Sequence, residues 1–383
     1  MPTVVKLFES KKNKADEFYT LYSDIEEELK NYIEYNPDVF RDKMILLPCD
    51  DYEKSNFTTY FVNNFEKLGT KKLISTSYAE GIRRAQSSLF EAKNVSRGKL
   101  LVKTKECEKR GILKGFGDFR SDEVSRLRDE ADVIITNPPF SLFCEFWKWI
   151  QPDKKKFLVL GHLNCSKYYD VFDLLKVDKA WLGNTKRKGD VAFIIANDYE
   201  VKTNNSVVGK DKNIVRVTGI RWFTNLEYKD KYSFIKTNTI EYNLKNNRQL
   251  VKILNNKYKA KSYPKYDNFD ALEIPLLSAI PSDYDGVMGV PITIFDKYNP
   301  EQFEIIGTSH EKYNSEMKNK KYRSITLFDE FGRENRVVGS EKQQPLIVLP
   351  DKPAGGCYYI ADGNSSRPMI AVYERIFIRN RRK

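Results

Sequence analysis

The sequence predicts an α/β fold: a doubly wound, mostly parallel sheet followed by a C-terminal region of different character. Three observations predict it. Short apolar runs alternate with helical patterns up to about residue 235. Several of those runs stop at a proline or a polar residue, as buried strands do at a sheet edge. Beyond residue 235 the chain turns Lys-, Asn- and Tyr-rich and then breaks into short β-like pieces. A chain of 383 residues is long enough for two domains, and the change of texture places them at 1–235 and 236–383.

Each element follows from its local pattern. Residues 11–40 read as a helix, with Phe18, Tyr22, Ile25, Leu29 and Ile33 near one face. KMILLP (43–48) is a buried strand ended by Pro48. SNFTTYFVNNFEKLG (55–69) is a helix capped by Ser55 and stopped by Gly69. KKLISTS (71–77) is a second strand, EVSRLRDE (123–130) a helix and ADVIITN (131–137) a third strand. SLFCEFWKWI (141–150) is an aromatic helix, and KKFLVLGHL (155–163) is the next strand. Strands alternating with helices imply parallel βαβ units. In such sheets ligands sit beyond the carboxyl ends of the strands.

Composition narrows the function. Lys and Arg outnumber Asp and Glu by 65 to 53, a formal net charge of +12, which suits a polyanionic partner such as nucleic acid. Five cysteines (Cys49, Cys107, Cys144, Cys165 and Cys357) form no CxxC pair, and His162 and His310 are the only histidines. No zinc site is readable and no metal is expected. The N-terminus has no apolar core of a signal peptide and no window reaches membrane-spanning length. The expectation is a cytoplasmic protein with no membrane partner.

The chemistry concentrates at Asn137-Pro138-Pro139-Phe140. Tandem prolines donate nothing to a sheet ladder, so the strand must end there in a stiff loop. The Asn137 side-chain carbonyl and the Pro138 backbone carbonyl are two acceptors that can grip both hydrogens of an exocyclic amine. Phe140 offers a flat face for stacking. An adenine amine is a poor nucleophile because its lone pair is delocalised. Drawing its hydrogens toward two acceptors favours a pyramidal nitrogen that can attack a methyl sulfonium. A base treated in this way has to leave the duplex. As a bare motif, the four residues equally fit a strand-ending turn; their place after DVIIT and before an aromatic helix favours chemistry.

[D/N/S]-P-P-[Y/F/W] after an apolar strand resembles the catalytic motif of amino-methyltransferases. Longer blocks resemble one branch, the EcoRI-type adenine-specific DNA methyltransferases. They are KNKADEFYTLYSDIEEELKNY, LLPCDDYEKSNFTTYFVNNFEKLGTKKLISTSY, DVIITNPPFSLF, GIRWFTNL and DYDGVMGVPITIFDKYNPEQFEIIG, spanning residues 11 to about 307. The resemblance implies a Rossmann-like methyltransferase sheet with a C-terminal target-recognition region. It also implies S-adenosylmethionine as methyl donor and double-stranded DNA as partner, bound by a monomer. A bacterial or phage-encoded protein paired in function with a cognate restriction endonuclease is one role it suggests.

The resemblance places a cofactor motif at Pro48, Cys49 and Asp50, with Ser55, Asn56 and Phe57 lining the helix start. The Gly-rich loop of the wider superfamily is missing. A carboxylate loop can replace it, because the cofactor carries a sulfonium and an ammonium rather than phosphates; helix capping is the alternative for Asp50-Asp51. The acidic residue that normally ends the second strand is also missing, leaving Ser75, Ser77, Tyr78 or Glu80 to meet the ribose. Asp118 in GFGDFRSDE matches the third motif, with an N-cap as its alternative role. Tyr19 and Thr20 are expected to close over the methionine end. For DNA, Lys186, Arg187 and Lys188 and the tail residues Arg375, Arg379, Arg381, Arg382 and Lys383 suit phosphates. His162 or Asn164 could approach the base pocket. Rival readings are the same chemistry on RNA or protein, a non-catalytic DNA-binding protein, and a nuclease, for which no acidic metal core is readable.

Overall fold

The structure, a computed structural model, describes residues 19–79, 97–184, 190–194, 206–208, 214–310, 317, 320–338, 344–353, 355–364 and 367–381. The chain divides into two compact units, Met1–Lys231 and Tyr232–Lys383. Among the described residues no helix is long and apolar enough to cross a membrane.

The first unit begins with a two-residue strand, β1 (Tyr19–Thr20), and helix α1 (Tyr22–Tyr35). Residues 19 and 20 are therefore strand, where the periodicity of 11–40 predicts helix. They pair instead with the strand at 190–194, and the Leu21 amide donates to the Ala192 carbonyl at 3.1 Å. α1 turns Ile25, Leu29 and Tyr32 inward, each fully buried. Next come β2 (Met44–Leu47), α2 (Asn56–Asn63), β3 (Lys72–Thr76), β4 (Lys99–Lys103) and β5 (Glu108–Ile112). They are followed by α3 (Asp122–Glu130), β6 (Val133–Thr136), α4 (Phe143–Trp149), β7 (Lys156–His162) and α5 (Tyr169–Lys176). Strands β8 (Trp181–Leu182), β9 (Asp190–Ile194), β10 (Ser206–Val208), β11 (Ile214–Thr218) and β12 (Ile220–Thr224) complete the unit.

The main sheet has eight strands in the order β5-β4-β3-β2-β6-β7-β12-β8. Its centre, β3-β2-β6-β7, is parallel. Its flanks are antiparallel on both sides, so the sheet is mixed rather than mostly parallel. The reason is local. β4 and β5 form a hairpin along the free edge of β3, and β12 runs back along β7. β5 is exposed at every position, so it carries no apolar signature. A second sheet, β1-β9-β11-β10, is antiparallel throughout.

Ser55 caps α2 by accepting from the Phe57 amide at 3.1 Å. The next helical turn, Phe65–Leu68, ends at Gly69 in a left-handed conformation (φ 62°). One core joins α1 and α2 to the sheet through Ile25, Leu29, Phe57, Phe61, Ile45, Leu47, Ile135 and Leu160. Burying each such side chain stabilises the fold by roughly 1.5–3 kcal/mol before entropy is counted.

The second unit has two short helices, α6 (Ile240–Asn246) and α7 (Arg248–Ile253). One of its sheets has the order β13 (Leu272–Glu273), β14 (Met288–Val290), β21 (Ile376–Asn380) and β15 (Phe303–Thr308). The other has the order β17 (Glu334–Val338), β16 (Ile325–Phe328), β19 (Tyr358–Ala361), β20 (Met369–Ala371) and β18 (Leu346–Val348). In its interior Arg375 donates to both oxygens of the fully buried Glu273, at 2.7 and 3.0 Å. Tyr258 donates to the same carboxylate at 2.8 Å, and Tyr266 also bonds it.

Candidate active site

Because β3, β2, β6 and β7 are parallel, the loops after them share one edge of the sheet. The chain visits β2, then β3 on one side, then β6 on the other, so the order of strands reverses between β2 and β6. That crevice is where open α/β sheets hold ligands. It is bounded by Pro48-Cys49-Asp50 after β2 and by Asn137-Pro138-Pro139-Phe140 after β6.

Asp50 organises this edge from the inside. It is 4% exposed, and each carboxylate oxygen accepts from a hydroxyl: Ser55 at 2.6 Å and Thr136 at 2.6 Å. Its amide donates to the Thr76 carbonyl at 2.8 Å, and its carbonyl accepts from the Ser75 hydroxyl. Burial pushes the Asp50 carboxyl up to about 6, against the opposing pull of Ser55 and Thr136. Asp50 therefore shapes the loop, with both oxygens engaged within the fold. Pro48 contributes a carbonyl that accepts from Thr76 at 3.1 Å. The half-buried Cys49 thiol is pushed upward by burial and by the neighbouring Asp50 charge. Asp51 and Glu53 both pair with Lys99 of β4, Asp51 at 2.9 Å.

Two expected cofactor side chains turn inward. Ser75 is fully buried and also bonds Thr58 at 2.8 Å, so its hydroxyl serves the loop rather than an open ribose site. Phe57 is 1% exposed and meets Trp222 edge-on at 5.8 Å; its ring is core, because position 57 lies on the inner face of α2. Asn56 donates to the Thr20 carbonyl at 2.8 Å, tying β1 to the start of α2. Tyr19 is half-buried. Thr20 is 2% exposed, and its hydroxyl has no hydrogen-bond partner among the described residues.

At the end of β3, Ser77 is buried and Tyr78 is 41% exposed; Glu80 lies outside the described residues, as do Asp16, Glu17 and Phe18. The GFGDF loop crosses beside this strand end. The Ala79 amide donates to the Phe116 carbonyl at 2.8 Å. Gly117 has φ 78°, and a Cβ there would stand 2.1 Å from the Ser77 carbonyl oxygen. Phe116, which the sequence motif did not single out, is 50% exposed. Asp118 is bound by Arg120 through Nε at 3.0 Å and Nη2 at 2.7 Å, which holds its carboxyl below the usual range. It does not cap α3; Ser121 does, accepting from the Val124 amide at 3.3 Å.

β6 is buried at all four positions and stops at the two prolines. Phe140 opens a 3-10 turn, with the Leu142 amide donating to the Pro139 carbonyl at 2.9 Å. The Phe140 ring is partly buried and meets Phe193 of β9 edge-on, with centroids 6.1 Å apart and planes at 84°. His162, at the end of β7, accepts from the Asn164 amide through Nδ1 at 3.0 Å. Burial, then Arg221 and Lys167, lower its proton affinity. Among the described residues no group of three or more His, Cys, Asp or Glu side chains is placed to hold a metal ion.

The basic residues divide. Lys186, Arg187, Lys188, Arg382 and Lys383 lie outside the described residues. Arg379 and Arg381 are at the surface. Arg375, by contrast, is 7% exposed on Glu273, so it is not open to a phosphate: the buried carboxylate claims it.

A switch-point crevice with an Asn-Pro-Pro-Phe loop on one side and a carboxylate-organised loop on the other defines the amino-methyltransferase class. Comparison with known proteins gives the branch: the chain belongs to the family described as adenine-specific methyltransferase EcoRI, which it matches over residues 6–347. It is 40% identical over 311 residues to the type II methyltransferase M.EcoRI of Escherichia coli, covering 78% of this chain and 88% of that protein. It is 37% identical over 300 residues to the type II methyltransferase M.MgeORF184P of Mycoplasma genitalium, covering 78% and 84%. M.MpnI of Mycoplasma pneumoniae, also a type II methyltransferase, is 34% identical over 299 residues, covering 78% and 83%. No solved structure matches the chain.

Proposed function

We propose that the protein transfers a methyl group from S-adenosylmethionine to the exocyclic N6 amine of adenine in duplex DNA, at a specific site and on a flipped base. The carrying observation is the Asn137-Pro138-Pro139-Phe140 loop at the carboxyl end of β6, beside the loop that follows β2. The type II methyltransferase names of its relatives support DNA as substrate.

The residues around the crevice fit the cofactor. Thr20 carries a buried hydroxyl in need of a partner, and such groups in native structures are as a rule satisfied by protein, water or ligand. Asp118 offers a carboxylate, and Tyr78 and Phe116 offer exposed rings near the end of β3. These residues, with the backbone of Cys49, would hold it. When bound, S-adenosylmethionine supplies an electrophilic methyl group on its sulfonium. The side-chain carbonyl of Asn137 and the backbone carbonyl of Pro138 accept the two amine hydrogens and favour a pyramidal nitrogen, whose lone pair is withdrawn from conjugation with the ring. Phe140 stacks on the extruded base. As the bond from methyl to nitrogen forms, the bond from methyl to sulfur would break to leave a neutral thioether, and the amine proton would pass to water. The first unit carries cofactor and catalysis, and the second, from Tyr232 onward, carries target recognition.

The test is methyl transfer from labelled S-adenosylmethionine to duplex DNA, with total RNA in parallel. Asn137→Ala should lower kcat on the order of a hundredfold or more, by analogy with loss of one preorganised polar group, with DNA affinity little changed. Equal rates in variant and wild type, or transfer to RNA alone, would overturn the assignment.

A further inference from the structure

Thr136 is the last residue of β6 and immediately precedes Asn137. It is fully buried, and its hydroxyl donates to Asp50 Oδ2 at 2.6 Å. We infer that Thr136 is a positioning residue for methyl transfer: its hydroxyl, locked onto Asp50, sets Asn137 relative to the loop that follows β2. This rests on the proposed role of Asn137.

Three observations carry it. Pro138 and Pro139 have no amide hydrogen, so just beyond Asn137 the backbone has no donor with which to extend the ladder that fixes β6. Thr136 is the last strand side chain before Asn137, so a bond from it bears directly on where that amide sits. Asp50 is itself held from four directions, by Ser55, the Thr76 carbonyl, Ser75 and Thr136, so the pin has a rigid anchor. A buried carboxylate is costly unless donors meet it. If Thr136 had only to fill space in β6, a valine of the same shape would fill it without a carboxylate to satisfy. The arrangement joins the cofactor side of the crevice to the catalytic amide through one hydrogen bond.

Thr136→Val removes the hydroxyl and keeps the shape, and Thr136→Ser keeps the hydroxyl. With unmethylated genomic DNA, Thr136→Val should lower kcat about ten- to a hundredfold, because a misplacement of ~1 Å can cost ~10²-fold. Calorimetric affinity for S-adenosylmethionine should stay near wild type, and Thr136→Ser should recover most of kcat. Thr224 is the comparison: it is a fully buried hydroxyl in the same sheet, donating to the Phe157 carbonyl at 2.7 Å. Thr224→Val should lower the melting temperature and leave kcat unchanged. Wild-type kcat in Thr136→Val, or a pattern like that of Thr224→Val, would overturn the inference. If Thr136→Val does not fold, Thr136→Ala carries the test. A fall in kcat with cofactor affinity kept supports the pin, and the reverse pattern overturns it. Asn137→Ala run alongside separates the two ideas. An active Asn137→Ala sinks the functional reading itself. A dead Asn137→Ala beside a fully active Thr136→Val sinks only the inference about Thr136.

Discussion

Phe140 is half-buried and braced edge-on by Phe193, while Phe143 stacks on Trp147 at 5.9 Å and 24°. The ring that follows the prolines thus has a packing role while remaining only half-buried. Replacement with Ala separates packing from base stacking. Stacking on an aromatic face is worth roughly 1–3 kcal/mol, so Phe140→Ala should weaken productive base capture about ten- to a hundredfold by the same conversion. Phe140→Tyr and Phe140→Trp should stay active. Once the methylated site is mapped, a mismatch opposite the target adenine lowers the unstacking cost and should partly rescue Phe140→Ala. A drop in melting temperature without selective rescue would leave Phe140 a packing residue. Glu28 makes a different prediction. It is 2% exposed in α1, bonded by Tyr32 and by the Asn184 amide at 3.1 Å, and burial raises its carboxyl from 4.5 to about 7. A raised folded-state value means the contribution to stability is fully present below about 4.5 and is lost as pH rises through about 7. Denaturant unfolding should show wild type losing stability across that window, by a few kcal/mol at most. Glu28→Gln should flatten the loss, and an unchanged slope would remove Glu28 as its source.

Among the elements, the loop from Leu113 to Phe119 against the end of β3 is the tightest approach on the crevice edge. At Gly117 a Cβ would meet the Ser77 carbonyl at 2.1 Å, on a backbone that is already left-handed. Gly117→Ala must push the loop off the strand end and move Phe116 and Asp118. Affinity for S-adenosylmethionine should fall by about tenfold or more, a displacement worth ~1.4 kcal/mol. Gly111→Ala, on β5 with nothing within 4 Å, should bind normally. If the two variants bind alike, the GFGDF loop is not part of the cofactor site. The central strands were legible in the sequence because β2, β6 and β7 are apolar runs ended by Pro48, Asn137 and Asn164. β4 and β5 were not, because they form the outer hairpin of the sheet, where Lys103, Glu108 and Arg110 pair with one another and β5 is exposed throughout. α6 and α7 went unread because each is under two turns around an Asn cap, too short for periodicity to show. At the site, the motif positions of Asn137 and Asp118 could be read from the chain. The inward turn of Ser75 and the Asp50–Thr136 bond could not, since they depend on which strands become neighbours.

For the molecule as a whole, the net charge of +12 becomes informative only when the cations are sorted by what they already touch. Arg375 is committed to Glu273 inside the second unit. Arg375→Met would leave a buried carboxylate without its cation, and breaking such a pair costs roughly 3–5 kcal/mol. Its expected result is an early unfolding transition of the second unit and loss of DNA binding, with cofactor binding kept. Arg379 and Arg381 are exposed, and the nearest carboxylate oxygen to Arg379 is that of Glu304 at 3.7 Å. Surface pairs of this kind contribute little to stability, so Arg379→Ala and Arg381→Ala should melt as wild type does. If they neutralise phosphates, each substitution should weaken DNA binding uniformly across sequences. Each should also make the slope of log affinity against log salt shallower by about 0.9, the value for one contact released from duplex DNA. Titration of both variants over a range of salt concentrations decides the matter. An unchanged slope would take these two arginines out of the DNA contact, and a lowered melting temperature would return them to the fold.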